Sequence, residues 1–467
     1  MKRILLLVVF LLNMVAVESF ATHIKGGQIL YQIIGDKASV ALITYTNRSA
    51  VDAGVDDPTA SIDFGDGTSS EYPRSSKRLI NDDTYENVYM GEQHRFPGTG
   101  TYKIGYTESN RTGDIKNMSN SINTPYYVET LVSIVSGSQT TYSGPLFLSA
   151  PIFQAEKNKT FTNNISAYVQ NGDSLAYKLV SCKQARNVDV SNYFIPNGFK
   201  IDPYSGQITW DNPSIEGRYN FAVMVELYRS GVRIGYVIRD FQIYVNKDQL
   251  SGQKFDITSS HSLTPGNSIS LDPGNVFSME VFFQDTANSI ANLKYFGELQ
   301  NEDGVFNITI EQANASARET STALKSPLYK ATVTMNVEEK HKRSMPYNLI
   351  FRGETKGSSA TISNDLTIQL YIGVPVPLGI NSKSAKSKAN LSLYPVPVTD
   401  RFTIKKESNV SGTLIIYDIE GKDVKRIYLS NGALETQYSI ELQSGTYMYN
   451  FNSDNGEEFS TGKFLVN

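Results

Sequence analysis

Along most of this 467-residue chain apolar side chains recur at every second position, in short runs separated by turn residues. In "YNFAVMVELY" the residues Tyr219, Phe221, Val223, Val225 and Leu227 fall on one face of a strand, because successive side chains of extended backbone point to opposite sides. Ser230 and Gly231 then supply a turn, and Val232, Ile234, Tyr236 and Ile238 repeat the alternation, which predicts a hairpin. At Arg239 and Asp240 the apolar phase slips by one, to Phe241, Ile243 and Val245, as expected for a bulge or for a strand that changes partner. The same period marks "SVALITYT" (Ser39–Thr46), "GTYKIGYTE" (Gly100–Glu108), "VFSMEVFF", "VFNITIEQ", "YKATVTMNV", "NDLTIQLYIG" and "SGTYMYNF". The helical period is almost absent, and "YVETLVSIV" is the one ambiguous run. The expected fold is therefore all-β: tandem immunoglobulin-like sandwiches followed by a C-terminal sandwich.

Two stretches break the texture. At the start, Lys2 and Arg3 precede an apolar run, and Ser19-Phe20-Ala21 offers small residues before a cut between Ala21 and Thr22, the pattern of a secretory signal peptide. Further on, "VPVPLGINSKSAKSKAN" has prolines, then Ser, Lys and Ala without apolar period, and reads as a linker. A chain this long exceeds one core. The predicted order is a signal peptide (1–21), three sandwiches (22–150, 151–250 and 251–373), a linker (374–390) and a last sandwich (391–467).

Composition supports strands: 28 Tyr and 22 Phe stand beside a single Trp, with 34 Gly for turns. A formal net charge of −4 is too weak to draw nucleic acid or anionic lipid, so neither is an expected partner. Cys182 is the only cysteine, which excludes an intrachain disulfide and reads as a small buried hydrophobe.

Motifs add resemblances. "IDFGDGT" (Ile62–Thr68) and "HRFPGTGTYKI" (His94–Ile104) resemble the polycystic-kidney-disease-type (PKD) immunoglobulin-like domain. "NGDSLAYKLV" and "GFKIDPYSGQITWDNP" resemble cadherin-like or putative immunoglobulin modules of bacterial surface proteins. The sharpest match is to the type A C-terminal sorting domain of the type IX secretion system. It rests on Tyr394, Pro395 and Pro397 in "LSLYPVPVTDRFTI", and on Tyr417, Asp418, Gly421 and Lys422 in "IYDIEGKDV". Gly445 and Tyr447 in "LQSGTYMYNF" and Lys463 in "GKFLVN" complete it. This resemblance implies passage through the periplasm, recognition by the type IX machinery, delivery to the outer surface or medium, and attachment to surface lipopolysaccharide after removal of the sorting domain.

Sites for chemistry are sparse. Four scattered histidines lack zinc-ligand spacing, and there is no nucleophile elbow, P-loop or dinucleotide fingerprint. Asp63 and Asp66 lie in a glycine-rich turn where Gly65 and Gly67 occupy positions that a calcium loop gives to oxygens, so turn chemistry is the expectation and calcium the alternative. Asp173 is a further calcium candidate without acidic neighbours. "EEKHKR" (Glu338–Arg343) reads as a solvated loop. The expected function is adhesion or extracellular binding of glycan or protein, without enzymatic activity. The alternatives are a structural or gliding-motility-associated surface component and an exported hydrolase whose carboxylates meet only in the fold.

Overall fold

Period-two burial is the rule in the observed strands. In Val276–Asp285 the residues Phe277, Met279, Val281, Phe283 and Asp285 point inward while Val276 and Ser278 face water. The computed structural model describes residues 24–466 except 136–140, 170–172, 230, 248–251, 265, 287–290, 314–327, 344, 357–360, 375–386, 389–390, 407–410, 419–422, 433, 440–441 and 454–457. The predicted signal peptide with Ala21 and Thr22, most of the linker, and Gly421 and Lys422 lie outside the described residues. Among those described, helix is confined to Arg48–Asp52 and the single turns Ser121–Asn123 and Glu339–His341. The ambiguous run is a strand, Tyr126–Ile134. The chain forms two compact units, Met1–Val376 and Pro377–Asn467.

In the first unit, the segments 22–150 and 151–250 are joined in one 15-stranded sheet. Its path runs from Ser174–Val180 through Gly217–Arg229 and Val232–Asn246 to Ile24–Ile34, and on to Gly100–Glu108 and Tyr126–Ile134. One hydrophobic cluster extends from Ile24 to Val245, so these segments share a core where the sequence pattern predicts two. The phase slip marks the reason. Val232–Asn246 runs against Gly217–Arg229 without a bulge at Arg239 or Asp240, the register shift lying instead between Leu227 and Tyr228. On its other edge the strand meets three partners in turn. Gly235–Val237 pair with Val132–Thr130, Asp240 with Gly27, and Gln242–Asn246 run parallel to Ile152–Glu156. A strand covered on all sides buries both alternating sets, which is why Arg239 and Asp240 are both inside. Gly26 permits the crossing: a Cβ there would lie 2.3 Å from the Asp240 carbonyl oxygen.

Residues Ile269–Ile372 have a core of their own between two four-stranded sheets. The second unit packs the three-stranded sheet Leu391–Tyr394, Arg401–Lys406 and Glu435–Ser439 with a five-stranded one. Val398, Phe402, Ile404, Leu414, Ile416, Phe451 and Phe464 form the centre of its core. Fully burying each Phe contributes ~3 kcal/mol.

One local device recurs three times. The strands Gly100–Glu108, Gly217–Arg229 and Gly445–Ser453 each open Gly-x-Tyr, and each tyrosine hydroxyl donates to the carbonyl four residues back. The bonds are Tyr102 to Gly98 (3.0 Å), Tyr219 to Ile215 (3.1 Å) and Tyr447 to Gln443 (2.9 Å). This is the geometry of a tyrosine corner, which fixes the crossover into a sandwich strand.

Candidate functional site

The DFGDG turn is closed by its own aspartates. Asp63 Oδ1 accepts from the Gly65 amide (2.8 Å), and its other oxygen pairs with Arg186 (2.6 Å). Asp66 Oδ1 accepts from the Thr68 amide and hydroxyl, while Oδ2 lies 2.7 Å from His94 Nε2. His94 stacks on Phe64 at 3.8 Å, which places it in the aromatic packing. Gly65 and Gly67 adopt positive φ, +81° and +94°, as the turn requires. Burial works to raise the Asp66 carboxyl, but the hydrogen bonds from Thr68 and His94 outweigh it and hold the pKa below its ordinary value. Asp173, the third calcium candidate, sits apart and accepts two bonds from Arg229 (2.9 and 2.7 Å). No group of three or more His, Cys, Asp or Glu side chains arranged to hold a metal occurs among the described residues.

Polar chemistry concentrates at the junctions. At the first, the Arg111 guanidinium meets Asp240 (3.0 Å), both about 1% exposed, and Asn220 Nδ2 donates to the same carboxylate (2.7 Å). Asn220 also approaches Cys182 Sγ (3.2 Å), whose thiol burial pushes up to about 12, and Asn117 bonds the Asn220 backbone at both its groups. Arg239 donates to the Ile165 and Ser149 carbonyls and lies over Phe147. At the second junction, Arg352 binds Asp365 with two bonds (2.8 and 2.9 Å) and reaches Asn163 across it (3.0 Å). The Asn164 amide donates to the same Asp365 (2.9 Å). "EEKHKR" is less solvated than predicted: His341 is buried, accepting the Glu338 amide, and Arg343 forms a two-bond pair with Glu298 over the Tyr347 ring. The physical reason is that turn Glu339–His341 folds the run back onto the third sandwich.

Beside the first junction opens a cleft of about 480 Å³, within the size range of small-ligand sites. Its walls come from the start of the first strand (Lys25, Gly26), the turn Asn81–Thr84, the strand Ile152–Glu156, the tyrosine corner at Glu216–Arg218, and the end of Val232–Asn246. Lys25 is held by Asp83 and Thr84. Burial lowers the Lys25 pKa against the pull of Asp83, with Arg218 adding to the lowering. Arg218 is half-buried, its guanidinium 5.8 Å from the Tyr244 ring centre. Sequence reading missed this set because its members lie far apart in the chain. The phase slip at Arg239 was the one signal that pointed toward the junction.

In the second unit the sorting motif spreads over both sheets. Tyr394 ends the first strand and is 40% exposed, and the cis prolines Pro395 and Pro397 follow it. Tyr417 pairs with Asp423 and Met448, and Asp418 comes just after it. Gly445 opens the corner strand, Tyr447 is buried, and Lys463 pairs with Met448.

Residues 392–467 match the family model described as the secretion system C-terminal sorting domain. The chain is thus exported by the type IX route to the cell surface or the extracellular space, and its sorting unit engages the type IX machinery. No curated protein matches the chain. Among solved structures, domains from titin align at 10% identity over 69% of this chain and 95% of theirs, with a TM-score of 0.16. The mouse nectin-like molecule 4 ectodomain aligns at 9% over 68% and 97%, with a TM-score of 0.17. Salmonella alpha-2-macroglobulin aligns at 10% over 95% of this chain and 29% of its own length, with a TM-score of 0.18.

Proposed function

We propose that this type IX passenger is a surface-presented binding protein that engages an extracellular glycan or protein through the cleft beside its first junction. The observation that carries the reading is the union of a sorting unit with a passenger whose junctions are closed by buried ion pairs, beside a roomy polar cleft at the seam. A stiff scaffold presenting a preformed site loses little ordering entropy on binding, which suits work at a cell surface. Release of the sorting unit and attachment of the new end to surface lipopolysaccharide belong to the same proposal.

The proposal is of a binder and not of a hydrolase. Of the two acids lining the cleft, Asp83 is committed to Lys25, and Glu216 stands on the exposed rim. Two-carboxylate hydrolysis needs an acid and a base facing each other across the scissile bond. The proposed binding invokes no calcium either: Arg or His engages each of Asp63, Asp66 and Asp173.

The test is display of the full chain on its own cells, compared with a strain lacking it. Loss of adhesion to glycan-coated or protein-coated surfaces in the deletion strain is expected. Equal adhesion by both strains, with no binding of the purified chain to any coated surface, would overturn the proposal and favour a structural role. Removing 391–467 is expected to abolish surface delivery.

A further inference from the structure

The hydrogen-bonding groups that the cleft leaves open are mostly donors. Arg218 makes no side-chain hydrogen bond or ion pair among the described residues; it lies against the Tyr244 ring and acts through space on Lys25 and Asp83. Asn81 spends its oxygen on the Asp83 amide, leaving its NH₂ group available. Gln154 spends its oxygen on Asn246 (2.8 Å), again leaving an NH₂. Gln242 is the counterpart: its nitrogen bonds Asn220 (3.3 Å), so its oxygen is open. Lys25 and Asp83 answer each other, and Glu216 and Lys247, which also line the cleft, are exposed. The charge left over in the interior is the Arg218 guanidinium.

Arg218 is also a residue the fold does not need. It is the middle residue of a Gly-x-Tyr corner, and at the same place in the other two corners stand Thr101 and Thr446, both exposed. The corner works through the tyrosine hydroxyl, so the side chain at x is free of structural duty. Here the backbone that carries it is fixed, since the Arg218 carbonyl accepts from the Lys116 amide (2.8 Å) and the next residue, Tyr219, packs at 4.8 Å against Trp210.

We infer that the cleft binds an acidic saccharide, with its carboxylate on Arg218 and its hydroxyls on the amide groups of Asn81, Gln154 and Gln242. A planar guanidinium takes a carboxylate with two parallel bonds, and side-chain amides supply the paired donors and acceptors that sugar hydroxyls use. This rests on the reading of the chain as an extracellular binder and names the ligand class of that site.

The test is titration calorimetry of the purified full chain with oligosaccharides bearing galacturonate, glucuronate or sialate, each beside its neutral methyl ester, and with inorganic phosphate. At least one acid form is expected to bind, its ester at least tenfold more weakly, and affinity is expected to fall as salt rises. Arg218→Thr, the residue of the other corners, is expected to lower affinity at least tenfold while Trp210 fluorescence and the unfolding midpoint stay as in the parent. Unchanged binding by Arg218→Thr, or equal binding of acid and ester, overturns the inference. Phosphate binding as tightly as any saccharide overturns it too, by making the site one for bare anions. If no acidic saccharide binds while the chain still adheres to neutral glycans or to protein, the inference fails and the proposed function stands; loss of all adhesion removes both.

Discussion

The two units solve the same packing problem with different materials. In the sorting unit the described core is almost wholly apolar, and its strands keep a clean alternation from Phe402 and Ile404 to Tyr449 and Phe451. In the passenger the centre holds Arg111, Asp240, Asn220 and Arg239, and a second set, Arg352 with Asp365, joins the third sandwich to the second. An apolar core tolerates repacking, whereas a buried ion pair is satisfied in one geometry and is costly to leave half-made. The passenger's junctions are thus specified more narrowly than its sandwiches.

The largest expected effect tests that contrast directly. Asp240→Ala leaves the Arg111 guanidinium buried without its carboxylate and is expected to cost about 3–5 kcal/mol. Trp210, the single tryptophan, is buried in the passenger and reports its unfolding by fluorescence in denaturant. Phe402→Ala is expected to cost a similar 3–5 kcal/mol in the sorting unit, by opening a cavity, and to leave the Trp210 transition in place. Its readout is faster hydrogen exchange in Arg401–Lys406. A loss under about 1 kcal/mol for Asp240→Ala would erase the contrast.

A smaller effect probes the crossing of strands. Gly26→Ala places a methyl group against the Asp240 backbone and is expected to cost ~1–3 kcal/mol of passenger stability, read on the same Trp210 curve. A neutral result would mean that the first strand can shift away without disturbing the pair beneath it.

The smallest concerns pH. The folded Asp66 carboxyl titrates below its ordinary value of 3.8, so the unfolded chain takes up this proton first as acid is added. The resulting stability is present above that ordinary value and is lost as pH falls through the folded pKa. Asp66→Asn is expected to remove about 1 kcal/mol at neutral pH and to flatten the acid limb of a stability–pH profile. Parallel acid limbs for parent and variant would show that the turn does not couple to His94 as its geometry indicates.

Where alternation is clean, the fold is legible in the sequence: the paired strands Gly217–Arg229 and Val232–Asn246, the strand Gly100–Glu108 and the C-terminal strands lie where period two predicts them. The fusion of the first two sandwiches was not legible, because Gly27 and Asp240 meet through backbone at a distance of many residues, and no local pattern encodes that. What could be seen was the slip at Arg239 and Asp240, and of its two readings the change of partner is the observed one. The candidate cleft was illegible for a related reason. Asn81, Gln154 and Arg218 are ordinary surface residue types in sequence and become a set only where three segments converge.

The strand Val232–Asn246 also orders events in time. It is the element against which the first strand, the strand Tyr126–Ile134 and the strand Ile152–Glu156 are all laid. As the chain is made or threaded N-terminus first, Ile24–Ile34 emerges roughly two hundred residues ahead of the segment that will cover its edge. Thr141–Ser143 cover the Gln32–Ile34 end of that edge, but until Asp240 arrives the part around Gly27 stays open to water and to other chains. A chain that stops short of Val232 therefore leaves an unfinished sheet ready to pair with its neighbours, and its earliest residues depend on late arrivals for protection.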